Sequence, residues 1–137
     1  GELEPIAEDG EVTVTLRCEI NYTMKNANRS LLFSMLYNVV NNAVQHTPKG
    51  GRIDIACGEN SGRFEVSVSD TGEGMSPEQL DRLFTRFSNR PDHAGNGTGI
   101  GLAITKSIAD FHDIAIRVLS EPGRGTQFFF FFSVNSL

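Results

Sequence analysis

The chain has 137 residues, of which 39% are hydrophobic and 21% charged, and its formal net charge is -5. This length and composition fit one ordinary domain with its own core. The acidic balance excludes bulk nucleic-acid binding, which needs many neutralised phosphates, but it leaves room for a small anion held by backbone amides and a metal ion. No apolar run reaches membrane-spanning length. The chain begins at Gly1 without Met, and we expect a single domain, 1–137, cut from a longer protein.

The first half of the chain alternates strand and helix patterns. Apolar residues at every second position predict a strand over 12–18. Asn28 can cap a helix from about Arg29 to His46, in which apolar residues recur at helical spacing. Further predictions are an extended piece at 22–25, a turn at 48–51, a strand over 53–57, a hairpin connection at 59–62 and a strand over 64–68.

The second half starts with turn residues after Asp70. Ser76 followed by proline predicts the start of a short helix. The segment 88–98 is rich in Gly, Asn and Pro, and we expect it to be mobile. Further predictions are a helix from Ile100 to His112, a strand over 114–118, a turn at 121–125 and a last strand from Thr126 to Val134.

Two side-chain sets in these strands need an explanation. Cys18 and Cys57 each lie in a predicted strand, which favours buried free thiols, although a disulfide is possible. The run of phenylalanines over 128–132 lacks alternation, which is typical of a strand with apolar surroundings on both faces. We expect the core on one side and a partner surface on the other, in preference to a ligand-binding role.

Asp70 falls on the apolar face of its strand, together with Phe64, Val66 and Val68. A carboxylate there must be paired or hydrogen-bonded, because a bare buried charge is costly. Two interpretations stay open at this point. Asp70 either caps the turn at Gly72, or it accepts a hydrogen bond from a ligand's amine while Gly72 and Gly74 let the backbone approach closely.

A row of carboxamides lies along one stripe of the predicted first helix, because positions three and four apart are neighbours: Asn38, Asn41, Asn42 and Gln45. A solvated polar face would be made at lower cost by Lys, Glu or Arg. Amide oxygens instead suit a hard cation such as Mg²⁺.

The glycine-rich stretch 95–102 precedes a predicted helix. It lacks the Lys of a Walker loop, and its glycine spacing differs from that of a dinucleotide fold. Backbone N–H groups at a helix N-terminus favour anions, although a simple helix-entry loop is the more common explanation of such a stretch.

Five stretches of the chain, in their order and spacing, resemble the catalytic ATP-binding (HATPase) domain of bacterial sensor histidine kinases, in the GHKL superfamily. They are 38–47, 70–74, 84–87, 97–102 and 123–128. The resemblance covers about residues 5–134. It implies an α/β fold of the Bergerat type, a two-layer sandwich in which a mixed, mainly antiparallel sheet packs on helices. It also implies ATP and Mg²⁺ as cofactors.

The resemblance assigns roles to individual residues. Asn42 would bind Mg²⁺, Asn38 would lie near the metal and phosphates, Asp70 would accept the adenine amine, and Thr126 would lie near adenine through water. The implied nucleotide-binding set is Asn38, Asn42, Gln45, His46, Asp70, Gly72, Gly74, Met75, Phe87, Gly97, Thr98, Gly99, Ile100, Gly101, Leu102 and Thr126, with Arg86 as a further catalytic candidate.

Position 38 separates branches of the superfamily. Hydrolytic relatives such as gyrase carry Glu there, which activates water, whereas Asn38 cannot accept a proton in that way. We therefore expect phosphoryl transfer to a histidine. Three departures from the family pattern are Gln45 and Asn89, where Lys and Arg are frequent, and Asp113-Ile114, where two glycines are usual.

The implied protein is a histidine kinase whose acceptor histidine lies outside this chain, because His46, His93 and His112 lack the acidic neighbour pattern of an acceptor. The fragment would not autophosphorylate without that dimerisation and acceptor domain, which would precede residue 1. The parent would be a cytoplasmic or inner-membrane-anchored homodimer that signals to a response regulator, and the fragment a monomer. The alternatives are a stand-alone regulatory serine kinase of the anti-sigma type and a degenerate interaction module without nucleotide.

Overall fold

A computed structural model describes residues 12–18, 28–60, 62–83 and 98–132. Five strands and three helices occur in these ranges. In chain order they are β1 (Thr13–Cys18), α1 (Arg29–His46), β2 (Arg52–Asn60), β3 (Arg63–Asp70), α2 (Pro77–Asp81), α3 (Thr98–Phe111), β4 (Ile114–Ser120) and β5 (Thr126–Phe132).

The strands form one sheet in the order β1-β2-β3-β5-β4. β1 runs parallel to β2, and the other neighbouring pairs are antiparallel. A parallel pair needs a crossover connection, and α1 lies in the chain between β1 and β2. The prediction of an α/β fold with a mixed, mainly antiparallel sheet packed on helices is confirmed.

The bounds predicted for α1 are those observed. The side chain of Asn28 accepts the N–H of Leu31 at 3.0 Å, which satisfies one of the free donors of the first turn. At the other end, Thr47 donates its hydroxyl to the carbonyl of Ala43 at 2.6 Å. Met35, Val39 and Ala43 are fully buried in the core beneath the sheet.

α3 lies antiparallel to α1. The hydroxyl of Thr105 donates to the carbonyl of Met35 at 3.0 Å. The N–H of Asn28 donates to Nε2 of His112 at 3.3 Å, so the end of α3 meets the beginning of α1. α3 starts at Thr98, two residues before the predicted start, because its contact with α1 outweighs the poor helix propensity of its glycines.

The phenylalanine run alternates in burial. Phe128, Phe130 and Phe132 are buried in the core, whereas Phe129 and Phe131 lie on the other face, half-buried and stacked with ring centroids 6.2 Å apart. The expectation of a core on one side is confirmed. The second face is only half-covered by the described residues.

The expectation of buried free thiols is wrong. Cys18 and Cys57 are register partners on β1 and β2, and the structure joins them as a disulfide. Cys18 is exposed and Cys57 is half-buried. The prediction failed because periodicity identifies strands but not which strands pair.

One smaller prediction differs from the structure, and others concern residues outside the described ranges. β2 extends to Asn60 and pairs there with Arg63, so the hairpin turn is shorter than the predicted connection at 59–62. The extended piece at 22–25, the mobile segment up to 97 and the last strand residues 133–134 lie outside the described residues. Within the described part of the chain, none of the helices combines the length and the apolar character that a membrane crossing needs.

Candidate functional site

Asp70 is the last residue of β3 and pairs with Ile53 on one side and Thr126 on the other. Its Oδ1 accepts the N–H of Gly72 at 2.8 Å and the N–H of Thr126 at 3.2 Å. The turn-capping interpretation is therefore correct for this oxygen. Among the described residues no hydrogen bond reaches Oδ2, so the second oxygen is available to a ligand, and the two interpretations are compatible.

Burial raises the pKa of Asp70 above its ordinary 3.8, because desolvation disfavours the carboxylate. The N–H groups of Gly72 and Thr126 and the nearby charge of His46 act in the opposite direction. A hydrogen-bond donor from a ligand would replace the solvation that this carboxylate has lost.

Main chain packs directly on main chain around Asp70. A Cβ added at Gly72 would collide with the carbonyl of His46, one at Gly74 with the carbonyl of Glu121, and one at Gly125 with the carbonyl of Asp70. Gly74 and Gly125 also have φ of 74° and 80°, which side-chain-bearing residues rarely adopt. The space beside Asp70 is thus bounded by backbone groups.

Ser120 fixes the turns on both sides of this space, and sequence reasoning missed it. Its Oγ accepts the N–H of Met75 at 2.8 Å and donates to the carbonyl of Gly125 at 2.9 Å. The hydroxyl of Thr126 lies 2.9 Å away. Because the single proton of Ser120 goes to Gly125, Thr126 donates to Ser120, and the lone pairs of the Thr126 oxygen remain as acceptors.

His46 and Glu73 connect α1 to the turn that follows Asp70. Nδ1 of His46 lies 3.1 Å from Oε2 of Glu73, and the N–H of Glu73 donates to the carbonyl of His46 at 3.4 Å. Glu73 is a second residue that sequence reasoning missed, since it has no role in the resemblance.

The carboxamide stripe of α1 splits into two pairs. Asn41 and Gln45 are exposed, Asn38 is half-buried, and Asn42 is 9% exposed. Nδ2 of Asn38 donates to the carbonyl of Gly101 at 3.1 Å and so ties α1 to the first turns of α3. No hydrogen bond to the buried carboxamide of Asn42 comes from the described residues, although buried polar groups are normally satisfied.

The start of α3 is brought close to Asn42. Asn38 contacts Gly101 and Met35 contacts Thr105, so the antiparallel packing places the first turn of α3 next to the turn of α1 that contains Asn42. The side chain of Leu102 is buried in the core, which leaves only its backbone for a ligand.

The structure describes the other residues of the implied nucleotide-binding set only in part. Thr98, Gly99 and Ile100 form the first turn of α3, but their side chains are outside the described part of the protein. Arg86, Phe87 and Gly97 are also outside the described residues.

Within the described ranges no group of three or more His, Cys, Asp or Glu side chains could hold a metal ion. The buried carboxamide of Asn42, which receives no hydrogen bond from the described residues, fits a role in metal binding, because amide oxygens are acceptable ligands for Mg²⁺.

Comparison with known proteins identifies the family of the chain. The profile of the family described as "Histidine kinase-, DNA gyrase B-, and HSP90-like ATPase" matches residues 27–136. The chain is 36% identical over 140 residues to sensor protein IrlS of Burkholderia pseudomallei, covering 99% of this chain and 29% of IrlS. It is 39% identical over 103 residues to sensor-like histidine kinase SenX3 of Mycobacterium tuberculosis, covering 73% of this chain and 25% of SenX3. The chain thus spans less than a third of these relatives.

Solved structures share the fold. Full-length ShkA in complex with AMPPNP superposes with a TM-score of 0.76 at 25% identity, covering 95% of this chain and 30% of ShkA. The mycobacterial sensor histidine kinase MprB superposes with a TM-score of 0.73 at 24% identity, covering 89% of this chain and 83% of that one.

Proposed function

Because this chain belongs to the family of histidine kinase-, DNA gyrase B- and HSP90-like ATPases, we propose that it binds Mg²⁺-ATP and transfers the γ-phosphoryl group to a histidine on a dimerisation domain that precedes it in the full protein. The observation that carries the proposal is the state of Asp70. One carboxylate oxygen is fixed by two backbone donors, and the other has no hydrogen bond among the described residues.

Asp70 would select adenine by its exocyclic amine. A half-desolvated carboxylate would gain a hydrogen bond from a donor such as the adenine amine, and it would repel the carbonyl oxygen that guanine has at the same position. Gly72, Gly74 and the backbone of Met75 would let the base lie close to main chain. The Thr126 oxygen, held as an acceptor by Ser120, would receive a hydrogen bond from the amine or from a bridging water.

Asn42 would hold Mg²⁺ through its amide oxygen, and the phosphates would supply further ligands. The bound metal would neutralise phosphate charge and orient the γ-phosphoryl group. The backbone N–H groups at the start of α3 would hold the phosphates, since a helix N-terminus attracts anions. Arg86, Gln45, His46 and Phe87 remain proposed contacts of the same ligand.

Asn38 argues for transfer to a protein and against hydrolysis. Its Nδ2 donates to Gly101, which a carboxylate could not do. A carboxamide also takes no proton from water, so position 38 offers no general base. What remains is positioning and charge neutralisation, which is what phosphoryl transfer to an external nucleophile needs.

The acceptor histidine would come from outside this chain. His112 is buried, its Nδ1 lies 2.9 Å from the carbonyl of Ile108, and its Nε2 receives the N–H of Asn28, so both ring nitrogens are occupied. His46 is engaged by Glu73.

The outer face of α3 offers a surface for the acceptor domain. Ile104 and Phe111 are two helical turns apart, on one face, and are 45% and 76% exposed. In the full protein we expect a homodimer in the cytoplasm, with or without an inner-membrane anchor, and a response regulator as the next acceptor.

Titration calorimetry with Mg²⁺-ATP tests the site. Asp70→Asn keeps the oxygen that caps the turn and replaces the free oxygen by a donor, so we expect affinity to fall by about 10- to 100-fold. Asp54→Asn, on the other face of the neighbouring strand, should bind as the wild type does.

Asn42→Ala should lose the Mg²⁺ dependence of ATP binding, whereas Asn41→Ala, exposed on the same helix, should keep it. Unchanged binding in the Asp70 and Asn42 variants would refute the site.

Phosphoryl transfer needs a second assay. The domain is mixed with a separately purified acceptor domain and radiolabelled ATP, and acid-labile phosphohistidine is the expected product. Acid-stable phosphoserine on a protein substrate would instead support a regulatory serine kinase. If no adenine nucleotide shifts the melting temperature, the chain is an interaction module.

A further inference from the structure

Among the described strands, β1 pairs by backbone hydrogen bonds with one neighbour. Its neighbour is β2, and the two strands pair in parallel from Thr13 with Arg52 to Cys18 with Cys57. Parallel pairing is slightly weaker per residue than antiparallel pairing, and an edge strand has no second neighbour. A covalent link at its last residue therefore changes how firmly the strand is attached.

Cys18 and Cys57 provide such a link. Their Cα atoms are 4.6 Å apart, inside the range of about 4.4 to 6.8 Å that disulfides need. Cys18 is exposed at the end of β1, where a small thiol reagent can reach it, and Cys57 is half-buried beside it. The geometry supplies one sulfur that solvent reaches and a second sulfur positioned to resolve a mixed disulfide.

The cross-link also encloses the helix of the proposed nucleotide site. The cysteines are 39 residues apart in sequence, and α1, with Asn38, Asn42 and His46, lies between them. Closing a loop of this length removes many conformations from the unfolded chain, so the oxidised protein should be markedly harder to unfold than the reduced one.

We infer that Cys18 and Cys57 form a reversible thiol–disulfide site that fastens β1 to β2 and covalently encloses α1. Its reversibility rests on the proposed function, because a cytoplasmic kinase is kept in a reducing compartment where disulfides are transient or redox-sensing. The oxidant is a low-molecular-weight disulfide such as glutathione disulfide.

The chemistry balances in two exchange steps. The Cys18 thiolate attacks one sulfur of glutathione disulfide, forms a mixed disulfide and releases one glutathione. The Cys57 thiolate then attacks the Cys18 sulfur and releases the second glutathione. The two thiol protons of the protein end on the two glutathiones, and the protein is oxidised by two electrons.

To test the site, the protein is equilibrated with glutathione buffers in which the ratio of disulfide to thiol increases. Residual thiols are then blocked with an alkylating reagent, and the mass of the intact protein is measured by mass spectrometry. We expect both thiols to escape alkylation together. The oxidised monomer should melt about 10 °C higher than the reduced one. Cys18→Ser and Cys57→Ser should show no oxidation-dependent melting shift, and amide exchange in β1 should slow only in the oxidised wild type.

Three results would overturn the inference. They are two thiols that stay alkylatable in the most oxidising buffer, a cross-link between separate chains, and an internal cross-link that leaves the melting temperature within about 2 °C of that of the reduced protein.

ATP affinity is measured in both redox states as an independent readout. The cysteines lie away from the Asp70 end of the sheet, so affinity should agree within about twofold. Absence of ATP binding in both states would refute the proposed function and leave the thiol result standing.

Discussion

His46 and Glu73 are joined twice, once between their side chains at 3.1 Å and once between their backbones at 3.4 Å. α1 also carries Asn42, and the turn of Glu73 also carries Gly72 and Gly74. The pair therefore sets the spacing between the proposed metal ligand and the proposed base pocket. The backbone link is independent of side-chain identity, whereas the side-chain link can be removed by substitution.

Glu73→Ala should weaken Mg²⁺-ATP binding by up to about fivefold, because both side chains of the pair are exposed to solvent and such exposed pairs contribute at most about 1 kcal/mol. Calorimetry on the two proteins measures the effect. Glu59→Ala, at the far end of β2, is the control. A loss far above tenfold would mean that Glu73 contacts the ligand directly, in contradiction to a positioning role.

The stability of the unliganded protein should depend on pH through Asp70. Burial raises the pKa of this carboxyl above 3.8, so the folded protein holds the proton more tightly than the unfolded chain does. The stability that this group contributes is complete below pH 3.8 and is lost as the pH rises through the raised pKa. The melting temperature of Asp70→Asn, measured relative to that of the wild type, should therefore be higher at pH 7 than at pH 4. An equal difference between the two proteins at both pH values would contradict this assignment.

Nucleotide affinity should show the opposite trend. The carboxylate form of Asp70 accepts the base amine, so acidification toward the raised pKa should weaken ATP binding in the wild type before pH 3.8 is reached. Asp70→Asn, which already binds ATP weakly, should not show this loss of affinity on acidification. Calorimetry over the pH range in which the wild type stays folded measures both curves, and parallel curves would count against Asp70 as the acceptor.

Gly125→Ala should destabilise the fold by about 3 kcal/mol or more, since the new Cβ would collide with the backbone of Asp70 at a residue whose φ is 80°. Gly123 is the matched control, because its φ is 82° and a Cβ added there would meet nothing within 4 Å. Gly123→Ala carries only the backbone strain, about 1 kcal/mol. Urea unfolding measures both, and equal losses would show that the close approach at Gly125 has no energetic weight.

Asn38→Asp should cost about 1–3 kcal/mol of stability and weaken ATP binding more than tenfold. The donor to the Gly101 carbonyl becomes a negatively charged acceptor, which separates α3 from α1 and repels phosphate. Asn41→Asp adds the same charge on the exposed side of the same helix. Chemical unfolding and calorimetry compare the two, and a similar loss in both variants would assign the effect to helix charge alone.

The fold was largely predictable because local signals were strong. α1 has an asparagine cap and a Thr-Pro end, and its predicted bounds are the observed ones. The strands other than the phenylalanine run showed clear alternation. The disulfide was not the favoured interpretation because strand pairing is a long-range property, and the start of α3 was misplaced because contact with α1 compensates for its glycines.

The residues of the candidate site gave a signal in the sequence where motifs are contiguous. Asp70, Asn42 and the glycines stood out because their residue types conflict with their positions in a strand, a helix or a loop. Ser120 and Glu73 gave no such signal, because a serine at a strand end and a glutamate in a turn are ordinary. Their roles arise only when β3, β4 and β5 bring separate turns together.

The backbone contacts at Gly72, Gly74 and Gly125 limit how the proposed base pocket can evolve. Peptide groups have the same chemistry in every protein, and these three positions accept no side chain that could narrow the pocket or add a new functional group. Substitutions that alter base preference are therefore confined to the few side chains around that backbone, with Asp70 first.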